Sequence, residues 1–301
     1  MTFSLNTSVM DRRQFVNTSL WTAGAFCAGM TLPACSNSSD SDSASADASA
    51  DANMSGSSLP AIGLQLYTIR SVLETDFPGT MKQVAEIGYD EIEFAGYYDR
   101  SPKEIGAMLD DLGLSAPAAH VPLQQIRKAP DDLIQTAQAI GHDYLVCPYL
   151  READRGSLDA YRQRAQEFSD FGKRCSDAGL QFAYHNHDFE FQEMDGTLPF
   201  EVLLEETDPE HVQMELDLYW VVAAGHDPLT YIRENPDRYP LCHVKDRTSD
   251  GNMVSVGAGT MDFASIFRAG NFEHYFVEHD NPENPMQSIE SSHQTLSQLT
   301  F

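Results

Sequence analysis

From residue 59 onward the chain alternates short β-patterned runs with runs of helical periodicity, and four of the helical runs stop at a glycine just before the next strand. Helices are predicted over 78–87, 102–112, 131–140 and 157–178, closed by Gly88, Gly113, Gly141 and Gly179. A glycine in that place is the usual left-handed stop of an αβ connection. Strand patterns cover 62–67, 91–94, 114–120, 144–147, 181–186, 212–217, 241–245 and 275–279, with further helices near 198–206, 227–234, 262–269 and 286–299. Eight βα units in residues 59–301 predict an α/β fold, a single (β/α)8 TIM barrel. A doubly wound sheet is the alternative, but no Gly-rich nucleotide loop follows any strand. An apolar fraction of 42% supplies the core such a barrel needs.

The N-terminal segment concerns address. Arg12 and Arg13 precede a short apolar run, which resembles a twin-arginine export signal. The run from Val16 to Leu32 carries Thr, Ser, Asn and Gly, too polar for a membrane span. Leu32-Pro33-Ala34-Cys35 resembles a bacterial lipobox, so residues 1–34 are expected to be a signal peptide and Cys35 the lipidated residue; an ordinary signal peptide with a coincidental Cys is the alternative. Residues 35–58, almost wholly Ser, Ala, Asp, Asn and Gly, cannot bury apolar area and are expected to be a disordered tether. Ser36 after the Cys favours, by resemblance, the outer membrane of a Gram-negative cell. The expected location is the cell envelope, as a periplasmic lipoprotein joined to the membrane through its lipid alone. Cys147, Cys175 and Cys242 are too few and scattered for a disulfide framework and are expected to pack as buried hydrophobes.

In a (β/α)8 barrel the chemistry sits at the C-terminal ends of the strands. Strand two ends at Glu93, three at His120, five at His185-Asn186-His187, six at Asp217, seven at His243 with Lys245, and eight at Glu278. His185 and His187 share an i, i+2 spacing, as do His243 with Lys245 and Glu215 with Asp217, so each pair can face one side of its strand. Each residue alone has an ordinary explanation. A single His at a strand end is more often a hydrogen-bonded bystander than a ligand. Asp217 and Glu278 could cap helices or meet solvent, His120 could shape a turn, Lys245-Asp246-Arg247 could be a surface charge cluster, and Tyr219-Trp220 could be packing. A His/Asp/His/Glu set on neighbouring strands nonetheless suits a divalent metal with mixed nitrogen and oxygen ligands, Mn²⁺, Co²⁺ or Zn²⁺.

Several segments together resemble the xylose-isomerase-like sugar isomerase/epimerase superfamily: Gly63-Leu-Gln-Leu-Tyr-Thr-Ile-Arg70, Ile87-Gly-Tyr-Asp-Glu-Ile-Glu-Phe94, Tyr184-His-Asn-His-Asp-Phe-Glu-Phe191, Glu215-Leu-Asp-Leu-Tyr-Trp220, His243-Val-Lys-Asp246, Gly257-Ala-Gly-Thr-Met-Asp-Phe263 and Phe276-Val-Glu-His279. The resemblance spans essentially the whole domain and is specific to the superfamily rather than to one reaction. It implies a metal held from strands five to eight, which position by position gives His185, Asp217, His243 and Glu278, with Mn²⁺ the expected ion. Many members carry Glu on strand five where this chain has His185. That breaks the usual pair of acid/base glutamates, and it leaves open whether His185 or His187 is the ligand. Glu278, His187 and Lys245 are the candidate catalytic groups, and Glu93, His120 and Trp220 the candidate substrate contacts.

The expected chemistry is removal of a proton α to a sugar carbonyl. Export argues for an unphosphorylated sugar; the resemblance extends to relatives linked to 3-keto-glycosides, and export together with His in place of the strand-five Glu favours that lyase or hydratase-type elimination. A ketose epimerase or aldose–ketose isomerase is the first alternative, and a carbohydrate-binding lipoprotein without catalysis the second. With 46 acidic against 19 basic residues and a net charge of −27, the chain has no basic footprint for nucleic acid.

Overall fold

The computed structural model describes residues 56–301. The expected signal peptide, the lipidation site Cys35 and all but the last three residues of the expected tether lie outside the described residues.

Eight parallel strands close into a barrel: β1 (Gly63–Gln65), β2 (Glu91–Phe94), β3 (Ser115–His120), β4 (Tyr144–Cys147), β5 (Gln181–His185), β6 (Val212–Asp217), β7 (Leu241–Val244) and, after a short antiparallel ribbon of β8 (Asp246–Arg247) and β9 (Met253–Val254), β10 (His274–Val277). Each strand pairs with the next, and Gly63 opposite Phe276 closes the ring. The fold is therefore the expected TIM barrel. Local chemistry sets the helix boundaries. Gly88, Gly113, Gly141 and Gly179 all take positive φ at or just after a helix end. Asp76, Ser101, Ser157, Asp262 and Asn284 accept backbone N–H groups at helix starts, with Ser101 and Glu104 forming a reciprocal capping box.

Alternate strand residues face inward. Ala118, Tyr144, Val146, Ala183, Leu241 and Phe276 pack together as a small apolar cluster within the barrel, separate from the larger core that includes Leu64, Ile92, Phe182 and Leu216. Phe276 fills its place only because Gly63 lacks a side chain: a Cβ there would stand 2.4 Å from the Phe276 ring. The C-terminal half of the interior then holds polar side chains. Across the sheet, His185 lies opposite Glu215, and Asp217 opposite His243.

Several details differ from the sequence reading. Residues 62–67 do not make one strand: β1 ends at Gln65, whose side chain accepts the Tyr67 N–H and starts a 3-10 turn over Leu66–Ile69. Lys245 and Glu278 each follow the last strand residue by one position. The short helix Leu218–Ala223 begins directly on Asp217, whose Oδ1 accepts the Trp220 N–H. Asp246 is buried rather than part of a surface charge cluster, and it gathers the N–H groups of Arg247, Gly257, Gly259 and Met261. Cys147, Cys175 and Cys242 are free and buried.

Two glycines in helix interiors make opposite predictions. A Cβ at Gly172 would meet the His211 backbone oxygen at 2.3 Å, whereas one at Gly106 would meet nothing within 4 Å. Gly172→Ala should lower unfolding stability by about 1–3 kcal/mol, and Gly106→Ala should raise it by about 0.5–1 kcal/mol. Denaturant midpoints check both, and equal shifts would contradict the close approach of the helix Leu158–Asp177 to the start of β6.

Candidate metal centre

The polar layer is built by register. β5 carries His185 to its last position, β6 carries Asp217, β7 carries His243, and Glu278 follows β10. One donor atom from each of these four lies within 4.8 Å of the other three, and all four residues are buried. His185 Nε2 is 3.2 Å from Asp217 Oδ2. His243 Nδ1 is 3.7 Å from Asp217 Oδ2 and 2.7 Å from Glu278 Oε2.

The protons sort these atoms. The Pro148 carbonyl only accepts, so His185 Nδ1 at 3.1 Å must carry its hydrogen toward it. In the neutral ring, Nε2 then presents a lone pair to the Asp217 carboxylate. The other nitrogen that faces the carboxylates, His243 Nδ1, lies close to Glu278 Oε2 without hydrogen-bond geometry and is buried with no hydrogen-bond partner among the described residues, while Glu278 Oε2 also meets the Lys245 ammonium. Carboxylate oxygens and imidazole nitrogens that converge in a dry site are stabilised by positive charge placed among them. Two imidazole nitrogens and two carboxylates are a donor set that a divalent ion of the Mn²⁺, Co²⁺ or Zn²⁺ type accepts. The residues therefore fit such a metal.

Lys245 supplies part of the missing charge. Its buried Nζ is 2.8 Å from Asp217 Oδ2, 2.8 Å from Glu278 Oε2 and 2.9 Å from Asp280 Oδ1. Burial opposes its ionisation, but the three carboxylates outweigh that and hold the ammonium well above the usual lysine range. Burial likewise pushes Asp217 and Glu278 upward, and Lys245 with the nearby imidazoles brings both below the ordinary carboxylate range.

A second polar group lies toward the barrel interior and shares His243. Glu93 Oε2 accepts from Gln65 Nε2 at 2.6 Å and from His243 Nε2 at 2.7 Å. Glu215 Oε2 is 2.8 Å from His120 Nε2 and 3.1 Å from His243 Nε2, and His120 Nε2 is 3.2 Å from Glu93 Oε1. Burial alone would lower the His120 pKa, but Glu93 and Glu215 carry it up to about 9.

His187, one of the two alternatives on strand five, is not among the four converging donors. It lies beyond the end of β5 in an aromatic wall, parallel to Phe189 at 5.4 Å, edge-on to Tyr149 at 5.1 Å and 5.5 Å from Trp220. His187 Nδ1 and Trp220 Nε1 are buried without hydrogen-bond partners among the described residues. Burial, joined by the charges of His185 and Lys245, keeps the His187 imidazole neutral, well below its ordinary pKa. Lys245 Nζ stands 5.7 Å from the Trp220 ring centre. The sequence reading missed Gln65, Tyr149, Glu190 and Asp280. Glu190 accepts the His187 N–H at 2.8 Å and thereby fixes the loop after β5.

The sequence profile of the xylose isomerase-like TIM barrel family matches residues 81–296. The chain belongs to this family. A solved sugar phosphate isomerase/epimerase from Parabacteroides distasonis superposes on this xylose isomerase-like barrel with a TM-score of 0.67 and 26% identity, over 82% of this chain and 97% of that one. The inosose dehydratase of Lacticaseibacillus casei is 24% identical over 234 residues, 65% of this chain and 78% of that protein. The 3-keto-D-glucoside 4-epimerase of E. coli shares the fold, with a TM-score of 0.62 and 19% identity over 78% of this chain and 98% of that one.

The paired ionisations give this family member a pH signature in its metal-free form. His120 binds its proton more tightly folded than unfolded, so its contribution is full below its ordinary pKa near 6.5 and is lost as pH rises through about 9. His243 is shifted the same way. With chelator present, unfolding free energy should fall between pH 6.5 and 9, and His120→Asn should shrink that fall. A wild-type stability that stays level or rises across this range would contradict the network.

Proposed function

We propose that the chain is an exported, metal-dependent enzyme that removes a proton α to the ketone of an unphosphorylated sugar, with 3-keto-glycosides as the substrate class and elimination as the outcome. The observation that carries this reading is the convergence of His185 Nε2, Asp217, His243 Nδ1 and Glu278 in a buried site. These four residues would hold the ion, for which Mn²⁺ is our choice over Co²⁺ and Zn²⁺. A divalent cation there supplies Lewis-acid polarisation of a ketone and stabilises the charge that develops as its α-proton leaves.

The chain's own residues divide the remaining work. Glu278 lies below the ordinary carboxylate range, paired with Lys245 and His243, which suits a ligand better than a base. His187 stands outside the four converging donors and its Nδ1 has no hydrogen-bond partner among the described residues, so its lone pair is available, and we assign it the base. Lys245 holds its proton strongly, so it serves as a fixed positive charge beside the reacting oxygen rather than as a proton donor. Trp220 and Tyr149 with His187 offer flat faces for a sugar ring or its aglycone. On a 3-keto-glycoside, His187 would take the C2 proton, the C1–O bond would break, and the imidazolium would return its proton to the departing oxygen.

Family members named as sugar isomerases, epimerases and a dehydratase all fit chemistry beside a sugar carbonyl. The dehydratase name favours elimination, and the P. distasonis isomerase/epimerase favours the second reading, in which the same proton returns to carbon and no bond to oxygen breaks. The likeness to the lipobox and twin-arginine signal supports an envelope location with a lipid anchor at Cys35.

The test is turnover of a 3-keto-glucoside in D₂O by the full chain loaded with Mn²⁺. Aglycone release is expected, and His187→Gln should cut the rate by about 10²–10⁴-fold while metal content is kept. Deuterium at the α-carbon without aglycone release would select the epimerase or isomerase. Binding of sugar with neither outcome would select the non-catalytic lipoprotein.

A further inference from the structure

His243 belongs to both buried groups, and its two ring nitrogens divide between them: Nδ1 faces Asp217 and Glu278, and Nε2 faces Glu93 and Glu215. We propose that Glu93 and Glu215 are positioning residues that hold the His243 Nε2–H from the interior side, so that Nδ1 is the nitrogen offered to the cation. The inference rests on the metal-centre reading above and assigns Glu93 a role other than substrate contact.

Both carboxylates are completely buried, and an ionised carboxylate can only accept. With Glu93 Oε2 at 2.7 Å and Glu215 Oε2 at 3.1 Å, the hydrogen of the neutral ring belongs on Nε2. The acceptors are themselves fixed. Gln65 Nε2 donates to Glu93 Oε2 at 2.6 Å while Gln65 Oε1 accepts the Tyr67 N–H. His120 Nε2 lies 3.2 Å from Glu93 and 2.8 Å from Glu215, and its ring stacks at 5.4 Å on that of His243. Strand period does the rest: β6 presents Glu215 and, two residues on, Asp217 on the same face, so one strand faces both nitrogens of one imidazole. A carboxylate behind an imidazole fixes its tautomer and strengthens the opposite nitrogen as a ligand. Glu93 and Glu215 leave no exposed surface for a sugar hydroxyl to reach.

The experiment measures Co²⁺ affinity by chelator competition, together with the visible Co²⁺ spectrum, in the full chain and in Glu93→Ala, Glu215→Ala and the corresponding Gln variants. The Ala variants should bind about 10–100-fold more weakly, with an altered spectrum. The Gln variants keep an acceptor and lose the charge, so they should fall between, about 3–10-fold weaker. That graded rescue also serves where an Ala variant fails to fold. Affinities within twofold of wild type in the Gln variants and in every folded Ala variant would overturn the proposal while leaving the metal centre standing. Two Co²⁺ per wild-type chain, one of them lost in the Glu93 variants, would overturn it by making the inner group a cation site of its own. A wild-type chain that takes up no Co²⁺ would overturn the metal centre and this inference together.

Discussion

The mouth of this barrel is organised by buried negative charge. Glu93, Glu215, Asp217 and Glu278 are removed from water around one another, and among the described residues Lys245 is the only obligatory cation buried with them. Carboxylates at such separations remain ionised only when positive charge is built in. Under the proposed function, a divalent ion in the outer group, the Lys245 ammonium and one imidazolium would balance the four. His120, wedged between Glu93 and Glu215, is the ring placed to be that imidazolium. The hydrogen-bond directions of His185 and His243 follow from the same constraint, because each ring turns its remaining nitrogen toward the outer carboxylates.

Much of the fold serves to hold this charge where water is scarce. Phe276, seated over Gly63, helps to fill the interior with apolar volume. The Pro148 carbonyl after β4 orients His185, and Asp217 divides its two oxygens between the Leu218–Ala223 helix and the outer donors. Asp246 gathers the amides of the segment after β9, next to Lys245 in sequence. The aromatic wall of Tyr149, His187, Phe189 and Trp220 lies beside this charge, so an apolar face and a polarising centre adjoin.

The barrel was legible because it is written in local chemistry: glycine stops, capping side chains and short apolar strands each act over a few residues. The four outer donors were legible for a similar reason, since strand ends in a barrel converge whatever the details of packing. The choice between His185 and His187 was not. Their i, i+2 spacing treats them alike, and only the end of β5 at His185, with Glu190 taking the His187 N–H, separates them. Glu93 is legible in sequence as a polar residue at a strand end near the mouth, but its contact with His243 is not. Its partner Gln65 comes from the neighbouring strand β1, and that contact between strands has no trace in sequence spacing. Glu215 did leave a signal, an acidic residue two before Asp217 on a strand otherwise mostly apolar, although spacing alone does not say which nitrogen of which histidine it meets.

Elemental mass spectrometry of the full chain beside His243→Ala is the most direct measurement of the central claim. About one Mn, Co or Zn per wild-type chain, lost in the variant while the circular dichroism of the barrel is retained, is the result that a cation-centred site requires. Wild-type protein that holds no metal after incubation with excess Mn²⁺, Co²⁺ or Zn²⁺ would contradict it. The buried carboxylates would then be balanced by Lys245 and protonated imidazoles alone.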